Sequence, residues 1–387
     1  MIGICLVIAG LEGYAIQALG VAAPRMAPSL HMALQQVGYA ASATMAAMGL
    51  GAIAGGWLAD RFGRRRVMTI SVVVFGLSTL LTAAAWSADA LVLVRLATGL
   101  GLGGAMPNII AVASEISTPE RRARAVTTVS VGLPAGAATA ALVTRVFSHG
   151  FDWRLIFVIG GILALLVSPA VALLLPEPAR RDPAARFVDR RAIPALFFEG
   201  RWIATLLLWI AICLTMIVLS VMTNWLPTLM IAKGFSGDAG SLAALVFGVV
   251  GAGGGLALGR LIDRAGFAWP LAATFTALAV VTAALAAVSG LGPSMLLVGL
   301  AGFLVVGAQF AIYAMFPVYY PSPVRGTGAG AGVAAGRVGS IIGPTVAGIL
   351  LERGASGDQV VQAMLPAVLG AGMAAVLVSV IGDPHRD

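Results

Sequence analysis

Twelve apolar runs of about twenty residues recur along this chain, and nearly all of its charge lies between them. The hydrocarbon core of a bilayer takes about 20 helical residues to cross, so each run reads as a spanning helix. The runs fall near 1–24, 36–59, 67–86, 89–112, 124–147 and 153–175, then near 202–231, 239–259, 268–289, 292–317, 326–350 and 359–382. A soluble fold of 387 residues would need a polar exterior. Here 59% of residues are hydrophobic and 10% charged, so lipid must solvate most of the surface. The first run, Met1 to about Pro24, is long enough to span and is expected to be a retained helix rather than a signal peptide.

The connections are short except for PEPARRDPAARFVDRRAIPALFFEGR (176–201), rich in proline and charge, which divides the helices six and six. The expected organisation is an N-terminal half (1–175), a linker (176–201) and a C-terminal half (202–387). Orientation follows from the bias of basic residues toward the cytoplasm. With the linker inside, seventeen arginines (61, 64, 65, 66, 121, 122, 124, 180, 181, 186, 190, 191, 201, 260, 264, 325 and 386) lie inside, against Arg25, Arg145, Arg154, Lys233 and Arg353 outside. Both termini are thus expected in the cytoplasm of a cell bounded by this inner membrane.

The same distribution excludes other classes. A net charge of +8 can indicate nucleic acid, but 23 of the 24 basic residues are arginines in short clusters between apolar runs, not on one basic face. Cys5 and Cys213 lie about half a chain apart inside apolar segments and read as small buried side chains. His31, His149 and His385 have no ligand spacing, so no metal site is expected. No loop could hold a catalytic or sensor domain, which argues against a membrane enzyme or receptor. GVVGAGGG (248–255) resembles a dinucleotide loop only superficially, since it lies within a spanning run with no acidic residue about twenty positions on.

The chain repeats itself. GGWLADRFGRRR (55–66) follows the second helix and LGRLIDRAG (258–266) the eighth, so Asp60, Arg61 and Gly63 align with Asp263, Arg264 and Gly266 at an offset of 203 residues. Two six-helix halves in the same orientation are what a parallel-repeat carrier shows, with its site at the midplane between them.

These residues also carry a family resemblance. Gly56–Arg66 resembles the signature loop between helices two and three of the major facilitator superfamily, and 259–266 its degenerate partner. RLATGLGLGGAMPN (95–108) and SEISTPERRARA (114–125) are similar to other stretches of that superfamily. LEGYAIQALGVAAP (11–24), NWLPTLM (224–230) and GRVGSIIGPTVAG (336–348) resemble the aromatic acid:proton symporter family, particularly its hydroxyphenylpropionate-type members. The resemblance implies the major facilitator fold, twelve helices in two pseudo-symmetric halves. It also implies alternating-access uptake of an aromatic carboxylic acid, driven by a proton gradient and needing no cofactor, in a carrier that works as a monomer. One departure stands out. The family pattern in the first helix is acidic-Gly-aromatic-Asp, and here it reads Glu12-Gly13-Tyr14-Ala15. The missing Asp is the one the resemblance associates with proton coupling opposite the helix-four Arg, so either Glu12 alone carries the proton or coupling is impaired.

Ionisable groups within the hydrocarbon are costly and each calls for a reason. Glu12 is the acid well inside a helix, and Arg95, about seven residues into helix four, lies at a compatible depth for pairing with Glu12 or position 15. The functional reading is a carboxyl that takes and releases a proton as its pair with Arg95 breaks; the structural one is a static pair joining helices one and four. Arg337, near the midplane of helix eleven, could clamp a substrate carboxylate in its planar fork or bond the carbonyls of a neighbouring helix. Gln309 and Tyr313 share one face of helix ten, and Asn224 and Asn108 lie within helices seven and four. Such groups suit a hydroxylated aromatic ring, but also plain helix-to-helix bonding. At the inner ends, Asp60, Arg61, Gly63, Arg64, Glu115, Arg122, Asp263 and Arg264 are expected to form an inner gate that closes in one state and parts in the other. The plainer alternative is that the arginines only set topology. An efflux antiporter is the competing transport reading; helix five reads SVGLPAGAATAAL (130–142), without the Gly-Pro pair typical of such exporters.

Overall fold

No water is at hand inside a bilayer to bond a free N–H or C=O, so a crossing segment must satisfy its own backbone, and a helix does so residue by residue. The computed structural model describes residues 1–117, 128–129, 131–147, 152–175, 197, 201–320 and 325–381, without the side chains of residues 60, 111, 114, 115, 317 and 325–327. Among these the regular structure is helical: α1 (Ile2–Ser29), α2 (Leu34–Phe62), α3 (Arg64–Thr82), α4 (Ala88–Glu115), α5 (Gly132–Val146), α6 (Arg154–Leu174), α7 (Trp202–Ala232), α8 (Gly237–Ala265), α9 (Ala268–Ala287), α10 (Leu291–Tyr319), α11 (Arg325–Glu352), α12 (Gly357–Gln362) and α13 (Leu365–Ile381). Eleven spans are long and apolar enough to cross a membrane, the last being α12 and α13 together. The described part of α5 supplies the twelfth helix of the bundle. The expected linker lies outside the described residues, apart from Phe197 and Arg201.

Two ends differ from the sequence reading for identifiable reasons. α1 continues past Pro24 to Ser29, because Ala22, Ala23, Met26 and Ala27 are buried against neighbours, and that packing outweighs the roughly 3 kcal/mol a helix proline costs. The final run breaks between Gln362 and Leu365. Pro366 has no N–H to offer the Gln362 carbonyl and its ring would crowd it.

Outward faces carry bare aliphatic side chains such as Leu166, Leu173, Leu369 and Met373, as lipid contact requires. Inside, small residues bring helices together. A Cβ at Gly51 of α2 would lie 2.3 Å from the Leu100 carbonyl oxygen of α4, and one at Gly254 of α8 would lie 1.9 Å from that of Phe303 in α10. Both pairs are related by the repeat offset (254 − 51 = 203 and 303 − 100 = 203). The packing repeats accordingly: α1 with α5, α2 with α4 and α3 with α6 recur as α7 with α11, α8 with α10 and α9 with α13. Gly63 and Gly266, equivalent again, turn the chain at the ends of α2 and α8 with φ of 95° and 70°, backbone that favours glycine. The first and last six helices meet through α1 with α7, α2 with α11 and α5 with α8.

Candidate functional site

Among the described residues those inter-half contacts are tight at one end of the bundle only. α1 and α7 touch backbone to backbone where a Cβ at Gly20 would lie 2.7 Å from the Asn224 carbonyl oxygen. One turn deeper, Gln17 Nε2 donates to the Thr223 carbonyl at 3.0 Å. α2 meets α11 where a Cβ at Gly38 would lie 2.5 Å from the Pro344 carbonyl oxygen. Beside it Ser42 Oγ donates to the Ile341 carbonyl and lies 2.8 Å from Thr345 Oγ1. The Leu34 N–H donates to Glu352 Oε2 at 2.9 Å, and Arg145 Nη1 reaches the Asp238 carbonyl between α5 and α8 at 3.3 Å. All of these lie where α1, α5, α7 and α11 finish and α2 and α8 begin.

Toward the other end the same faces part. Eleven residues are about three helical turns, so Gly49 lies on the face of Gly38 and Ile53 on that of Ser42. A Cβ at Gly49 would meet nothing within 4 Å, and the same holds for Gly330, eleven residues before Ile341 on α11. Ile53 is 75% exposed. Among the described residues the two halves therefore enclose a cleft, shut at one end and open at the other.

Glu12, Arg95 and Arg337 sit about the depth at which the seams end. Glu12 and Arg95 are each 1% exposed. Arg95 Nη2 donates to the Ala15 carbonyl at 3.1 Å and Nε to Thr44 Oγ1 at 3.2 Å, while Nη1 has no partner. Arg95 thus reaches position 15 through the backbone, and no hydrogen bond joins it to Glu12. Glu12 Oε2 is buried without a donor. Arg337, on α11, belongs to the other half. Arg337 is half-buried and its one described hydrogen bond is a weak one, Nη1 to Met48 Sδ at 3.8 Å, again across the halves. Gly13 and Tyr14 are structural: Gly13 lies against the Leu133 carbonyl of α5, and Tyr14 Oη donates to the Ile156 carbonyl of α6 at 2.9 Å.

The other intramembrane polar residues divide. Tyr313 is half-buried, with its hydroxyl close to Gly336, next to Arg337 on α11, and its ring 6.1 Å from that of Phe316. Gln309 is half-exposed one turn before it, with no hydrogen bond among the described residues. Asn224 and Asn108 instead donate to their own helices, at the Ser220 and Gly104 carbonyls, both at 2.8 Å. Asn224 lies in the closed seam rather than the open cleft.

At the open end, Asp263 and Arg264 are exposed and make no ion pair among the described residues. Arg61 lies over the rings of Trp57 and Phe62, 5.7 and 5.4 Å from their centroids. The Asp60 and Glu115 side chains and all of Arg122 lie outside the described residues; Arg64 is half-buried at the start of α3. Residues that sequence reasoning passed over include Gln17, Ser42, Thr44 and Met48. Gln17 carried a usable signal, an amide in an apolar run; the small hydroxyls and Met48 carried none.

The match to known proteins decides what this cleft belongs to. Residues 5–344 match the family model of the Major Facilitator Superfamily. The chain belongs to that superfamily. This major facilitator, a membrane transporter, is 39% identical to the 3-(3-hydroxy-phenyl)propionate transporter of Escherichia coli (strain K12), over 96% of this chain and 92% of that one. It is 31% identical to the 4-hydroxybenzoate transporter PcaK of Pseudomonas putida, over 95% and 89% of the two chains. Its fold is that of a bacterial homolog of the human lysosomal transporter Spinster, solved inward-facing and unoccupied, with a TM-score of 0.80 at 17% identity over 98% and 96% of the two chains. A D-xylose-proton symporter superposes with a TM-score of 0.74 at 17% identity, over 98% and 96%.

Proposed function

We propose that this major facilitator takes up an aromatic carboxylic acid together with a proton by alternating access, with Glu12 as the proton carrier and Arg337 as the anchor of the substrate carboxylate. The observation that carries this is the state of these two intramembrane charges. One half holds a buried carboxyl with an unsatisfied oxygen, and the other holds a guanidinium whose only described hydrogen bond crosses to a thioether of the first. A substrate carboxylate would occupy that planar fork far better than sulfur does. Binding it would neutralise an intramembrane cation, so substrate and proton occupancy would be coupled through charge. Tyr313 and Gln309 flank this position and suit a ring hydroxyl. Relatives named for hydroxyphenylpropionate, 4-hydroxybenzoate and gallate transport support the substrate class.

The excess of arginine beyond the ends of α2 and α8, Arg61, Arg64, Arg65, Arg66, Arg260 and Arg264, supports placing the open end in the cytoplasm. Both termini then lie inside, in the cell membrane, and the conformation is inward-open. The proton gradient is the driving force, no cofactor is needed, and the monomer holds the complete path.

The test is uptake of labelled 3-(3-hydroxyphenyl)propionate, 4-hydroxybenzoate and gallate into proteoliposomes. Accumulation driven by an acidic exterior is expected. Absence of uptake of every acid, or extrusion of unrelated dyes in exchange for protons, would overturn the proposal in favour of export.

A further inference from the structure

Pro227 lies inside α7 and has no N–H, so the Thr223 carbonyl one turn earlier loses its intrahelical donor. Helices in membranes usually mend such a gap locally. α6 does so, where Ser168 Oγ donates to the Leu165 carbonyl that Pro169 leaves free, at 2.9 Å. α7 does not. Thr228 Oγ1, the nearest following hydroxyl, is buried and bonds nothing. The donor comes from the opposite half, Gln17 Nε2 of α1 at 3.0 Å. Gln17 is itself 4% exposed, and one turn further along α1, Gly20 lets the two backbones touch.

We propose that Gln17 is the latch of the closed end. Its amide meets the carbonyl that Pro227 leaves bare, so the bond exists only while α1 and α7 are together and biases the carrier toward the conformation described here. The inference rests on the alternating-access reading above but not on any substrate. Gln17 is a positioning residue, since it sets how often the outer path opens. Losing one intramolecular hydrogen bond shifts a two-state equilibrium about fivefold. Because external substrate binds only the outward-open fraction, its apparent affinity from outside should tighten by up to the same factor.

The experiment reads opening directly. Ser42→Cys places a thiol in the α2–α11 seam, away from Gln17, in full-length protein carrying Cys5→Ala and Cys213→Ala. Labelling by a membrane-impermeant maleimide is timed from outside intact cells. Gln17→Ala should label about fivefold faster. With Pro227→Ala, residue 227 regains an N–H for the Thr223 carbonyl, so adding Gln17→Ala to that variant should change labelling little. Equal acceleration in both backgrounds would overturn the latch, because Gln17 would then be acting without the proline-freed carbonyl. So would no acceleration by Gln17→Ala while Gly20→Val, which wedges α1 from α7, speeds labelling. If Gly20→Val also leaves labelling unchanged, the seam is not a gate and the latch fails with it.

Discussion

Gly38 and Gly49 lie on the same face of α2, three turns apart, yet the structure predicts opposite outcomes for the same substitution. A Cβ at position 38 would sit 2.5 Å from the Pro344 carbonyl oxygen, against 3.4 Å for ordinary contact, so even alanine needs 3.4 − 2.5 = 0.9 Å of separation. Valine adds two branched methyl groups pressed against backbone that has no rotamer to give. α2 and α11 must then part at this end, which removes the Ser42 bond to the Ile341 carbonyl and the Leu34 bond to Glu352. At about 1 kcal/mol net for each, the closed end loses about 2 kcal/mol, roughly a thirtyfold shift toward opening there. At position 49 a Cβ meets nothing, so Gly49→Val leaves the conformation described here unstrained and should not loosen the closed end. The assay is external maleimide labelling of Thr345→Cys, which keeps the Ser42 bond to the Ile341 carbonyl, in protein lacking Cys5 and Cys213. Gly38→Val should label far faster than its parent and lose net accumulation, while Gly49→Val labels no faster than the parent. Equal labelling by the two variants would refute the assignment of a closed and an open end.

Glu12→Gln, which keeps the shape but cannot release a proton, should abolish acid-driven accumulation while leaving substrate counterflow measurable in proteoliposomes; pH-driven accumulation at the parental level would exclude Glu12 as the carrier. Ala15→Asp sets a second acid beside Arg95, whose Nη1 is unpartnered, and should make uptake depend more steeply on external pH. An unchanged pH profile of initial rates would show that position 15 does not enter coupling. Arg337→Ala should raise KM for carboxylate substrates by about 10- to 100-fold, as expected for a charge-assisted bond of 1.5–3 kcal/mol. A KM within twofold of the parent would move the carboxylate site elsewhere.

Much of the fold was legible because lipid leaves a chain few options. Apolar runs of spanning length had to become helices, and the 203-residue offset between Asp60 and Asp263 told of two equivalent halves. That same offset reappears in the packing of Gly51 on Leu100 and Gly254 on Phe303. Helix ends were less legible, as at Pro24, where burial of residues far away in sequence outweighs a local preference.

The candidate site divides along the same line. Intramembrane charge is rare enough that Glu12, Arg95 and Arg337 stand out in the sequence alone, because hydrocarbon makes each of them costly. Which of them meet is a matter of helix rotation and tilt, which no local pattern encodes. Depth along the helices favoured Glu12 with Arg95, but the three-dimensional packing points Arg95 at the Ala15 carbonyl and Thr44, leaves a Glu12 oxygen without a donor and turns Arg337 of the other half to Met48. Asn224 had the composition of a ligand, and tertiary structure placed it in a closed seam. Gln17 gained its significance only when α1 met α7 beside a proline. A sequence thus determines what a membrane chain must bury, since transfer into lipid acts on each residue separately. Only the assembled bundle decides what each buried group faces, since that depends on pairs of helices brought together from opposite halves.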